Sequence, residues 1–274
     1  MAKKVVIGIY TGKYVSATFP VDLVRMVMSL SEKGMYAGLE AAESCRVDSN
    51  RNRLIYDFLH KSKGDYLFII DEDMIHPADM PIILAERDLP IVSGLYFRRG
   101  NNGMHTPQFY KLVGQSEDTR EGHGKAINNF YEPMIKEVHE FFSGLENIPY
   151  TNEPLILTDG RGQVLTNSLL EIDGGGFGCL MIRRDALEAM DEPYLQSEPG
   201  LNGDLVFYKQ AREKGIKVYG DCAVVAKHNY NEGLGVGAFC DFMWRFVEDA
   251  QRVKEDGGLE REPGTYEGYH GRNW

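Results

Sequence analysis

Asp71 and Asp73 stand one residue apart at the end of the most apolar stretch of the chain, DYLFIIDED. The run Tyr66 to Ile70 predicts a fully buried strand, and a pair of carboxylates at its carboxyl end lies where open α/β sheets hold ligands. Residues two apart in extended chain point the same way, so the two side chains are expected to share one divalent ion. Carboxylate oxygens favour Mg2+ or Mn2+, which keep coordination positions for phosphate oxygens. No other metal chemistry is signalled. Cys45, Cys179, Cys222 and Cys240 are widely spaced, with no C-x-x-C pair, which argues against a structural zinc site or a disulfide framework.

The elements that must position this pair alternate in type. Val5 to Tyr10 predicts a strand, and Leu23, Val24, Val27 and Met28 recur at helical spacing. A second strand is expected near Met35 to Leu39. Ser49 or Asn50 is then placed to cap a helix with Leu54, Ile55, Phe58 and Leu59 on one stripe. After the acidic strand come a short helix, Met80 to Glu86, and a strand, Ile91 to Phe97. Residues 100–130 are rich in Gly, Asn, His and charge and predict a long loop interrupted by a strand at Gln108 to Val113. Met134, Ile135, Val138, Phe141 and Phe142 mark an amphipathic helix, and 155–165 predicts a hairpin turning at Asp159-Gly160. Strands follow at Leu169 to Ile172 and Cys179 to Ile182, helices at Ala186 to Met190 and Asp204 to Lys214, the latter closed by Gly215, and strands on either side of Asp221. Asp204 stands at a helix N-cap position. Strands alternating with helices predict an α/β fold with a mostly parallel central sheet and helices on both faces. A last helix with Phe239, Phe242, Met243, Phe246, Val247, Ala250 and Val253, and a tail from Gly257 to Trp274, are expected to pack on that body. The expected division is 1–237 for the main domain and 238–274 for the helix and tail.

The 274 residues include 43% hydrophobic and 26% charged residues, enough for a full core. Lys and Arg number 30 against 41 Asp and Glu, a net charge of −11, which argues against attachment to nucleic acid by bulk charge alone. The apolar runs are too short to cross a bilayer, and MAKKVVIGIY leads directly into a strand, so a cytoplasmic protein without membrane attachment is expected. Oligomeric state is left open.

SNRNRLIYDFL at 49–59, the strand and acidic triplet at 65–73, VSGLYFRR at 92–99, GGGFGCLMIRRDAL at 174–187, GDLVFYKQAREKGIKVYGD at 203–221 and the later His228 stand in a fixed order. This order resembles the motifs of GT-A-fold glycosyltransferases, especially the family-2-like enzymes of bacteriophage genomes, over most of residues 4–230. The resemblance implies the GT-A, or nucleotide-diphospho-sugar transferase, fold. It implies that Asp73 binds a divalent ion bridging a nucleotide diphosphate, that Asp71 contacts that ion, the ribose or the donor sugar, and that His228 completes the metal site. Asp204 falls at the position of the general base of inverting members, with Gly203 where the family usually has Glu. Tyr10 and Thr11 would face the nucleobase, Arg51 the nucleotide, and Arg98 or Arg99 a phosphate, since guanidinium forks suit phosphate oxygens. Gly174, Gly175, Gly176 and Gly178 would let backbone approach a sugar or acceptor, or form a tight turn or bulge. They are not a dinucleotide fingerprint, because the G-x-G-x-x-G spacing after the first strand is missing.

The activity implied is metal-dependent transfer of a sugar from a nucleotide sugar, such as UDP-glucose, to a hydroxyl. Its sharper form is glycosylation of hydroxymethylated pyrimidines in phage DNA in the host cytoplasm, with Arg98-Arg99, Arg183-Arg184 and the aromatic segment 96–110 available for the strand. A surface glycan or a protein is the other acceptor class. A nucleotidyltransferase acting on sugar phosphates is a competing reading, but TGKYVSATFP after the first strand has one Gly and one Lys rather than a glycine-rich basic loop. A non-catalytic nucleotide-sugar-binding protein would keep the sheet and tolerate loss of Asp204.

Overall fold

The computed structural model describes residues 2–11, 15, 18–43, 47–99, 105–118, 126–147, 151–198, 201–229, 236 and 239. The last helix beyond Phe239, the tail, Cys45, Cys240 and the expected boundary after residue 237 lie outside the described residues. In chain order the first half comprises β1 (Val5–Thr11), α1 (Phe19–Glu32), β2 (Tyr36–Glu43), α2 (Val47–Lys61), β3 (Tyr66–Asp71), β4 (Met74–Ile75), α3 (Met80–Glu86), β5 (Ile91–Leu95), β6 (Phe97–Arg99) and β7 (His105–Pro107). There follow β8 (Phe109–Asp118), β9 (Ala126–Pro133), α4 (Ile135–Ser143), β10 (Leu155–Ile156), β11 (Leu169–Ile172), β12 (Gly174–Gly175), β13 (Cys179–Arg183), α5 (Arg184–Glu188), α6 (Gly203–Glu213), β14 (Val218–Val225) and β15 (Lys227–His228).

The main sheet runs β10-β14-β5-β13-β3-β1-β2, with β11 also pairing β14. β2, β1, β3, β5 and β14 share one direction, and β13 is inserted antiparallel between β3 and β5. Side-chain alternation divides the core between the two faces. Val6, Leu67, Ile69, Leu180 and Ile182 pack with α2, α5 and α6, whereas Val5, Ile7, Phe68, Ile70 and Met181 pack with α1 and α3. This is the mostly parallel α/β sheet covered by helices on both faces that the sequence predicts. Each fully buried Leu, Ile or Phe of this kind stabilises the fold by about 1.5–3 kcal/mol.

Several local expectations are corrected. In α1 the buried positions are Phe19, Asp22, Met26 and Leu30, while Val24 and Met28 face outward; the helix is rotated relative to its most apolar stripe. α2 begins at Val47, so Ser49 and Asn50 lie inside it rather than capping it. The described residues of 100–130 are mainly strand: the strand expected at Gln108 to Val113 is the first half of β8, which forms with β9 an antiparallel ribbon with an irregularity at Val113. β14 is one strand that includes Asp221, where two strands were expected, and its register with β5 shifts just after that residue. The hairpin at Asp159 forms as expected, with Thr158 bridging Val164 and the Asp159 carboxylate accepting from the Arg161 and Gln163 amides. Gly215 closes α6 at φ +72°, a conformation that favours glycine.

Arg184 ends α2 from a distance. Its guanidinium lies over the Phe58 ring and donates to the carbonyls of Phe58, Leu59, Ser62 and Gly64, the groups a helix terminus leaves unpaired. Arg183 is clasped by the Asp185 carboxylate. Arg183 pairs with Tyr66 at the amino end of β3, so both arginines stand a strand length, about 17 Å, from Asp71. They serve the scaffold at the opposite edge from the acidic pair, which removes them from the expected DNA track.

Candidate active site

Parallel pairing brings the carboxyl ends of β1 and β3 to one edge, with Tyr10 level with Asp71. Antiparallel β13 starts at that edge, Cys179 opposite Ile70, so the glycine run before it arrives there too. α2 turns Arg51 toward the same point. That residue is 5% exposed, its guanidinium 4.7 Å from the Phe177 ring centre and 5.6 Å from that of Tyr10. Arg51 Nη2 donates to both oxygens of Asp71, at 3.0 and 3.1 Å, and Nη1 donates to Asp204 Oδ1. One guanidinium therefore joins the acidic strand end to the predicted base, which lies 153 residues after Arg51.

Asp204 is free to make that contact because it does not cap its helix. Asn202 does, accepting from the Leu205 amide at 3.0 Å. The capping role expected for Asp204 is thus corrected, and the Asn two residues upstream was the missed signal. Burial raises the Asp204 carboxyl above its ordinary pKa and Asp71 adds to this, while Arg51 opposes it. Burial disfavours the charge on Arg51, but Asp204 and Asp71 outweigh it and hold the guanidinium protonated.

Asp48, one helical turn before Arg51, is a neighbour that the sequence reading missed. Its Oδ2 accepts from the Ser197 amide at 3.2 Å and hydroxyl at 2.7 Å. The carboxylate presses on Gly203, where a Cβ would overlap it. No larger residue fits at 203 without displacing Asp48, so a carboxylate from α2 fills the space beside Asp204. The i, i+3 spacing of Asp48 and Arg51 on one helix was the available clue.

Asp73 has a different partner from Asp71. β3 ends at Asp71 and the chain turns through Glu72 and Asp73, so the two-residue period that would align the carboxylates stops there. β4 then pairs antiparallel with β15, His228 opposite Met74, which sets His228 Nε2 3.0 Å from Asp73 Oδ2. Burial raises the Asp73 carboxyl, but the His228 contact outweighs it and leaves the group below its ordinary pKa. Among the described residues no three His, Cys, Asp or Glu side chains form a metal-binding group. The pair nevertheless suits a hard ion. A carboxylate oxygen and a neutral imidazole nitrogen are both ligand types that Mn2+ accepts, and Mg2+ or Mn2+ often takes only one or two protein ligands beside phosphates and water.

The remaining predicted residues fall as follows. Tyr10 and Thr11 end β1 at the site edge, and Arg98 is exposed on β6, which packs beside β15. Gly175 and Gly176 are buried; a Cβ on either would meet the Tyr208 or Tyr96 hydroxyl, so packing within the chain already requires their lack of side chains.

His76 lies behind the acidic turn, its Nε2 2.8 Å from the Gly178 carbonyl and its ring edge-on to Phe68. Burial lowers its pKa to about 4. The unfolded chain takes up this proton near pH 6.5 and the folded chain only near 4, so stability is lost as pH falls through that window, by about 3 kcal/mol in all. Urea unfolding of wild type and His76→Gln at pH 7.5 and 5 is expected to show wild type losing about 2 kcal/mol more over that interval. Equal losses would mean that the imidazole is not held neutral.

No protein-family model and no curated protein matches the sequence. Solved structures with a similar chain path include A197 from STIV, at 16% identity over 84% of this chain and 87% of that one, TM-score 0.49. Another is GalNAc-T7 with UDP, GalNAc and Mn2+, at 10% identity over 83% of this chain and 43% of that one, TM-score 0.45. A third is CMP:2-keto-3-deoxy-manno-octonic acid synthetase complexed with CTP, at 12% identity over 91% of this chain and 100% of that one, TM-score 0.39. These likenesses concern the fold alone.

Proposed function

We propose that the protein is a metal-dependent glycosyltransferase that moves a hexosyl group from a UDP-sugar to a hydroxyl with inversion. The observation that carries this reading is the Asp71–Arg51–Asp204 chain at the carboxyl edge of β3, with the Asp73–His228 pair beside it. Asp73 and His228 would hold Mn2+ or Mg2+, which when bound offsets charge on the departing diphosphate. Asp204 takes the proton of the acceptor hydroxyl as that oxygen bonds to the anomeric carbon. The bond from that carbon to the phosphate oxygen breaks in the same step, and UDP leaves with the electron pair. Tyr10 and Thr11 are suited by their place at the end of β1 to border the nucleobase, and Arg98 to meet a phosphate or the acceptor. A hydroxymethylated pyrimidine in DNA is one acceptor of the required chemistry.

The test is UDP release from UDP-glucose, UDP-galactose and UDP-N-acetylglucosamine, with and without Mn2+; no release from any of them in the presence of metal and acceptor hydroxyls counts against the reading. Titration calorimetry checks the metal site separately. Asp73→Ala is expected to abolish the Mn2+-dependent part of UDP affinity, and His228→Ala to weaken it less, because a neutral ligand adds less charge attraction. Unchanged Mn2+-dependent affinity in Asp73→Ala would remove this pair from the ion.

A further inference from the structure

We infer that Arg51 is a positioning residue, whose guanidinium fork fixes the Asp204 carboxylate relative to Asp71 and does not itself bind the donor. The inference rests on the transferase reading and assigns Arg51 a different part in it from the nucleotide contact expected from sequence. Its geometry leaves little for a phosphate. Nη2 serves both oxygens of Asp71, Nη1 serves Asp204, and Nε is buried without a hydrogen-bond partner. The Phe177 ring lies 4.7 Å from the guanidinium carbon.

What Arg51 does hold is the separation of two carboxylates. Groups sharing one guanidinium lie within a few ångströms of each other, and without a cation between them like charge would drive them apart. A planar fork sets distance and direction together, whereas an ammonium is a point charge with no fixed plane. The helix carrying the fork is itself anchored to the segment leading into α6. Asn52 exchanges two hydrogen bonds with the Leu195 backbone, at 2.6 and 3.0 Å, and Asp48 accepts two from Ser197. Arg51 thus transmits the position of α2 and α6 to the carboxylate, the kind of restraint whose loss displaces a reacting group without removing it.

Arg51→Lys and Arg51→Ala separate the alternatives in the full-length protein, with thermal melting to confirm folding and the lysine variant serving should the alanine variant not fold. Calorimetry with UDP and Mn2+ is expected to give wild-type affinity for both. With whichever UDP-sugar the wild type turns over, kcat is expected to fall by about 10²-fold at unchanged KM, and added guanidinium to restore part of the alanine variant's kcat. Loss of UDP affinity in step with kcat would make Arg51 a donor ligand, and wild-type kcat in Arg51→Lys, or no response to guanidinium in a folded Arg51→Ala, would also overturn the inference. A wild type inactive with every sugar nucleotide would sink the transferase reading, and the inference with it, before any variant is compared.

Discussion

Asp204→Asn is expected to fold and bind UDP with Mn2+ as the wild type does, yet to turn over donor and acceptor about 10²-fold or more slowly. The change is nearly isosteric. Its amide oxygen still accepts from Arg51 Nη1, and α6 keeps its start because Asn202, not residue 204, caps it. What disappears is the site for the hydroxyl proton. An amide cannot take it, and Arg51 is held protonated by its carboxylate partners. The substitution also relieves the crowding of negative charge that Asp71 and Asp48 impose on Asp204, so any loss of rate runs against the electrostatic gain. Initial rates at saturating donor, with calorimetry on the same preparation, distinguish the outcomes. A rate within a few-fold of wild type would return Asp204 to a structural partner of Arg51.

What was legible in the sequence was local, and what was missed depends on partners far along the chain. The strand Tyr66 to Ile70 declares itself because it is buried on both faces and needs no polar partner. Asp71 and Asp73 were found for the same reason, as the first charges after that run. Their separation into two environments was not legible. It depends on where β3 stops and on Arg51 and His228, the latter 155 residues from Asp73. Arg184 looked like a surface charge because the carbonyls it caps are more than 120 residues earlier. The first half of β8 was expected, but its extension to Asp118 and the whole of β9 were hidden by a composition that favours loops, since strand preference is set largely by the cross-strand neighbour. Asp204 was recognised and its capping role misjudged, because a carboxylate at a helix start satisfies both descriptions until the residue before Gly203 is seen to do the capping.

Asp221→Ala is expected to destabilise the fold by about 3–5 kcal/mol, the usual consequence of removing one member of a buried ion pair. Asp221 is fully buried in β14 between β5 and β11, a position that reads from sequence as a break between strands. It is tolerated there because its carboxylate is fully engaged. Oδ2 accepts from Arg87 Nε at 2.7 Å, and Oδ1 accepts from the Ser168 hydroxyl at 2.7 Å and the Ala223 amide at 3.0 Å. Arg87, at the end of α3, also donates to the Leu165 carbonyl at 2.6 Å, so this network ties the helix, the sheet and the segment after the Asp159 hairpin together. Alanine would leave a nearly buried guanidinium, a hydroxyl and an amide without their acceptor, and desolvation makes each such loss costly. Asp221→Asn keeps one acceptor oxygen but loses the charge and puts an amide NH2 where the other oxygen accepts, facing either Arg87 or the Ser168 and Ala223 donors, so it too should be destabilised relative to wild type in urea unfolding monitored by circular dichroism. Equal stability of the wild type and the alanine variant would mean that water reaches Arg87 and that the network contributes little. Because β14 and β3 are separated by three strand spacings, about 14 Å, UDP binding by the folded fraction of either variant is expected to match the wild type, which separates this scaffold effect from the chemistry at Arg51 and its two carboxylates.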